Sequence, residues 1–173
     1  TVNAHFGNIT SSTKIKVTDR DIKRDIVQLG TGDVFDKHTS DAWFFEGVDG
    51  KDYGVSGTFF DGKAYFWDVT DPTNITKVDS IKVDARIVND VKVSKDSKIC
   101  VITKEGASNR KNGFVILDIS NPSDVKVLSE YTDGLTGGVH NVFIDNNHVY
   151  ALNAFGNPAK FEVVNIEDPK NPK

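Results

Sequence analysis

A unit of about fifty residues repeats along this chain, and a repeat of that length constrains the fold more tightly than any bulk property. Trp67-Asp68-Val69-Thr70-Asp71-Pro72 recurs as Leu117-Asp118-Ile119-Ser120-Asn121-Pro122 and again as Val164-Asn165-Ile166-Glu167-Asp168-Pro169. Ile15-Lys16-Val17-Thr18-Asp19 is a degenerate fourth copy. The Asp/Asn column at 19, 71, 121 and 168 is spaced by 52, 50 and 47 residues, and Ile26, Val78 and Leu128 follow the first three of its members by seven places. A second signature keeps the same beat: Ser40-Asp41-Ala42-Trp43-Phe44, Asn89-Asp90-Val91-Lys92-Val93 and His140-Asn141-Val142-Phe143-Ile144.

Turn residues cut each unit into four short strands. The first full unit predicts strands near 41–47, 52–59, 63–69 and 76–83, and the second near 90–95, 98–104, 113–119 and 125–131. The third predicts 140–145, 148–154 and 160–166. The middle strands 99–102, 114–117 and 149–152 are apolar without clean alternation. A strand wet on one face alternates with period two; one covered on both faces does not. Repeated four-stranded antiparallel units covered on both faces point to an all-β fold, a β-propeller of about three to four blades here, forming part of a larger ring. Its divisions are an N-terminal segment with a partial blade at 1–38, blades at 39–88 and 89–137, and a partial blade at 138–173. Helices should be few.

Composition excludes several partners. The net charge is −4 and no basic stripe could neutralise a run of phosphates, so nucleic acid is not an expected partner. No apolar run approaches the roughly 20 residues needed to span a bilayer. The chain opens Thr1-Val2-Asn3 and contains no Met, as expected of a processed or excised segment. Cys100, the single cysteine, lies in an apolar run and reads as a small buried hydrophobe.

The runs Phe66–Pro72, Val115–Pro122 and Lys160–Pro169 resemble the LVIVD repeat of bacterial and archaeal secreted or surface-anchored β-propellers, including the choice-of-anchor group. The resemblance covers about 40–173, and more weakly 14–30. It implies an extracellular or cell-surface setting with a protein or glycan partner. Three ways of completing the stack remain open: a longer chain, self-association with a second copy, or residues 25–30 supplying an outer strand after Lys173.

Asp41, Asp90, His140 and Asn141 fall at the starts of the innermost strands, which rim a propeller's channel, where converging side chains could hold a small ligand. The competing reading is that these residues cap strand starts and tie adjacent blades through backbone hydrogen bonds. The four histidines lack ligand spacing, so no metal site is expected. Asp19, Asp21 and Asp25, and Asp49 with Asp52, form only loose calcium-like groupings, so no cofactor is expected beyond incidental calcium. Gly30-Thr31-Gly32 precedes no helical pattern and is no phosphate cradle. Trp43, Trp67, Phe59 and Phe60 read as core aromatics between blades. The expected function is a non-enzymatic interaction or scaffold propeller. The alternatives are a carbohydrate- or small-ligand-binding propeller and a subunit joined through exposed blade edges.

Overall fold

The computed structural model describes residues 1–18, 25–35, 37–153 and 160–173. Among them there is no helix, and the strands form four antiparallel sheets. A hairpin of β1 (Val2–Phe6) and β2 (Ile9–Thr13) comes first. The first blade is β3 (His38–Glu46), β4 (Asp52–Phe59), β5 (Lys63–Asp68) and β6 (Thr76–Lys82). The middle blade is β7 (Val91–Val93), β8 (Ile99–Lys104), β9 (Gly113–Asp118) and β10 (Lys126–Tyr131). The last blade is β11 (Val139–Asp145), β12 (His148–Asn153) and β13 (Lys160–Asn165). Strands follow chain order across each blade, so the sheets are simple meanders. The predicted strands of the three units all form, with ends displaced by up to three residues.

The repeated motif is the turn that leaves the third strand. Asp68, Asp118 and Asn165 each accept a hydrogen bond from the backbone N–H two residues on, at Thr70, Ser120 and Glu167. Asp71, Asn121 and Asp168 repeat this three residues later on Thr73, Ser123 and Lys170. Two successive Asx turns therefore precede and include the proline, whose fixed φ suits the second position of the turns closed by Asn74, Asp124 and Asn171. The register after the turn is also constant: Asp68 faces Thr76 and Asp118 faces Lys126, while Asn165 and Lys173 exchange backbone hydrogen bonds.

The blades stack face to face. Val91, Val93, Cys100, Ile102, Val115 and Leu117 of the middle blade share one core with Val55, Ala64 and Phe66 of the first. Val101, Phe114 and Ile116, which alternate with them, share a second core with Val142, Val149, Ala151 and Val164 of the last. The uninterrupted apolar runs of β8 and β9 thus serve two neighbours at once. Homologous columns keep their direction: Phe66 faces the middle blade and Ile116 the last.

The N-terminal third departs from expectation. Residues 14–18 form no strand and are exposed, and Ile26 is 98% exposed, unlike its column-mates Val78 and Leu128, which pack on the cores. Asp19 and Asp21 lie outside the described residues. Residues 25–30 are likewise not a strand and do not extend the last blade. A Cβ at Gly30 would meet the Pro72 carbonyl oxygen at 2.2 Å, and Gly32 lies on Trp67 and Ile75. With Val34 these residues lie over the outer part of the first blade's open face. Phe60 is a second correction: it sits at φ 64 in the turn after β4, exposed, with the Arg86 guanidinium 5.7 Å from its ring centroid.

Cys100 is fully buried, and burial pushes its thiol well above the ordinary range. A thiol reagent should therefore label the folded chain far more slowly than the chain in denaturant; equal rates would contradict this placement.

Candidate functional site at the inner strands

Strand β7 touches both other inner strands, β3 and β11. The residues singled out at the starts of these strands form a repeated connection. Asp41 Oδ2 accepts from the Val91 N–H at 3.3 Å, and Asp90 Oδ2 accepts from the Val142 N–H at 2.7 Å. Val91 and Val142 occupy equivalent positions one unit later, so the carboxylates of the first two blades each grip the backbone amide at that aligned position in the next blade's inner strand. Asn141 is the third member of the column, and its Nδ2 lies 3.5 Å from Asp90 Oδ2. Ser40 Oγ donates to the Val88 carbonyl, and Asn89 Nδ2 donates to the His140 carbonyl at 2.9 Å. Gly57 permits the approach at Val88, because a Cβ there would lie 2.3 Å from that same carbonyl oxygen.

Lys92 closes the cluster. Its ammonium donates to Asp41 Oδ2 at 2.8 Å, to Asp90 Oδ1 and to the Val91 carbonyl, and sits 5.2 Å from the Trp43 ring centroid. Two carboxylates around one ammonium have divergent environments. Burial is the largest influence on Asp90 and raises its pKa; its hydrogen bond with Asp41 acts the same way, against Lys92 and the Val142 amide. For Asp41 burial also acts upward, but hydrogen bonds with Asp90, Lys92 and Val91 outweigh it and bring the carboxyl to about 2. Burial would lower Lys92, yet its hydrogen bonds to both aspartates hold it above its ordinary value.

The linkage sign follows. A carboxyl whose folded pKa is depressed contributes stability that is present above its unfolded value and is lost as pH falls toward the folded one. Asp41 should thus add an acid-sensitive component to stability between about pH 4 and about pH 2. Denaturant midpoints across that range should fall less steeply for Asp41→Asn than for the parent; identical slopes would contradict the assignment.

His140 stands apart from the aspartates, with Nδ1 3.3 Å from Glu105 Oε1. Burial raises the Glu105 carboxyl, opposed by His140 and by Arg86. The four residues named from sequence therefore lie close along one line of inner strands, but Asp41, Asp90 and Asn141 act between blades while His140 belongs to a separate pair. Sequence reasoning missed Lys92. The signal was present: it stands in an aligned column otherwise filled by Trp43 and Phe143. Asp49, grouped with Asp52 as loosely calcium-like, accepts from the Tyr53 hydroxyl at 2.9 Å and the Lys51 amide at 3.2 Å. Among the described residues no group of three or more His, Cys, Asp or Glu side chains is placed to hold a metal ion, and no helix is long and apolar enough to cross a membrane.

A cavity of about 220 Å³ opens on the first blade's outward face, lined by Asp41, Ala42, Phe44, Gly54, Ser56 and Trp67 among others. The Trp67 indole N–H donates to Ser56 Oγ at 3.0 Å at its base. No curated protein matches the chain. Residues 108–133, which span β9, the double Asx turn and β10, match the family model of the LVIVD repeat.

Proposed function

We propose that this chain is a non-catalytic interaction and scaffold propeller of an extracellular or cell-surface setting. The observation that supports it best is the use made of the polar side chains at the inner strands. Asp41, Asp90 and Lys92 are spent on one another and on the next blade's backbone. They fix blade against blade, which leaves recognition to exposed loops and faces on a rigid frame. The LVIVD match supports the surface setting, because proteins bearing that repeat are associated with the cell surface.

The test pairs location with activity. Protease added to intact cells of the source should cleave the chain, and immobilised chain should bind a surface protein or glycan saturably without converting it. Protection from external protease, or turnover of a bound compound that is abolished by Asp90→Asn, would overturn the proposal.

A further inference from the structure

The stacking columns do not stop at the last blade. Residues pointing forward from the first blade (Val55, Ala64, Phe66) and from the middle blade (Val101, Phe114, Ile116) are fully or almost fully buried by the blade that follows. Their register equivalents on the last blade are Tyr150, Phe161 and Val163, flanked by Phe143 and Leu152. These form one apolar sheet face, and its members are exposed, Phe161 by 64% and Phe143 by 54%. Isolated apolar side chains on a surface need no explanation; a contiguous face built on the interface pattern of two preceding blades does.

The other end of the stack is complementary. The first blade's backward face carries Gly54 and Ser56 on β4, where the next blades place Cys100 with Ile102 and Val149 with Ala151. That loss of side-chain volume creates the 220 Å³ cavity, beside Phe44, which is itself exposed. Bulky residues on the forward face thus meet small ones on the backward face. Residues 30–34 cover only the outer part of that face, near Trp67 and Ile75, where radiating blades diverge and need filling. Polar registration is also in place. Ala42 occupies the position of Val91 and Val142 and follows the same strand irregularity as Val142. Asn141 carries the acceptor oxygen that Asp41 and Asp90 use in the preceding units.

We infer that two copies of this chain associate head to tail, the forward face of β11–β13 on one copy seating against the backward face of β3–β5 on the other. Asn141 then accepts from the Ala42 amide of the second copy. Two such contacts make a ring of six blades, within the range of about four to eight in which propellers close. Of the ways of completing the stack, this is self-association with a second copy, through blade faces rather than blade edges, and it does not depend on the surface setting.

Analytical ultracentrifugation of the chain tests this. The expected mass at high micromolar concentration is twice 19.0 kDa. Phe161→Glu and Phe44→Glu change exposed residues on opposite faces, so neither should disturb the fold. Each alone should weaken dimerisation about thirtyfold or more. Because the contact is head to tail, an equimolar mixture of the two variants retains one intact interface and should recover dimer that neither forms alone. A parent that remains monomeric, a dimer indifferent to Phe161→Glu, or a mixture no better than its components would each overturn the inference.

Discussion

Phe114→Ala should destabilise the chain by about 3–5 kcal/mol, the range for deleting a fully buried aromatic ring from a packed core. Phe114 is inaccessible to solvent, lies in the core between the middle and last blades, and stacks on Tyr131 with ring centroids 5.4 Å apart. In a chain of this length a loss of that size lowers the thermal midpoint by on the order of 10 °C. The informative control is Phe161→Ala, the same column one unit later, studied in dilute monomeric solution. Its ring is exposed, so it should move stability by no more than about 0.5 kcal/mol. Circular dichroism melts of both variants check the pair. Similar losses for the two would show that the columns are not one interface repeated.

Asp90→Ala should cost about 3 kcal/mol or more, because removing one partner of a buried ion pair strands the other. The Asp90 side chain is almost wholly buried and serves three neighbours: it pairs with Lys92, accepts from the Val142 amide and lies 3.5 Å from Asn141 Nδ2. Its loss leaves the Val142 N–H without its acceptor at the junction of two blades and leaves the Lys92 ammonium, itself largely buried, with Asp41 as its remaining carboxylate. Asp90→Asn keeps an acceptor for the amide and should recover part of the loss. Urea unfolding of the three proteins separates these contributions. Equal stability of parent and alanine variant would remove the inter-blade role of the column.

The architecture was legible because its signals are local. Each motif carries two Asx turns and a proline, and side chains that bond backbone two residues away declare themselves in sequence. The loss of alternation at Ile99–Ile102 and Phe114–Leu117 likewise reported burial on two faces. The N-terminal segment misled for the same reason. Ile15–Asp19 resembles the motif, but a strand buried on both faces needs neighbours, and the local pattern cannot supply them. Phe60 was placed in the core by its type, although its position in a turn with positive φ puts it outside.

The site was legible in position and not in role. Asp41, Asp90 and Asn141 stood out as a polar column, yet their partners are backbone amides and side chains about fifty residues away, which have no signature in sequence. Lys92 was overlooked because an isolated lysine in a strand reads as an outward-facing polar residue. Its ion pair with Asp41 arises only when two blades are brought together.

Ile116 and Leu117 are adjacent in β9 and belong to different cores, so their methyl groups provide the most direct measurement. Methyl NOESY spectra should connect Leu117 to first-blade residues such as Val55 and Phe66, and Ile116 to last-blade residues such as Val142, Val149 and Val164. Two disjoint sets of neighbours are the expected result. Shared neighbours, or contacts from either residue to solvent alone, would mean that the middle sheet is not enclosed between two others.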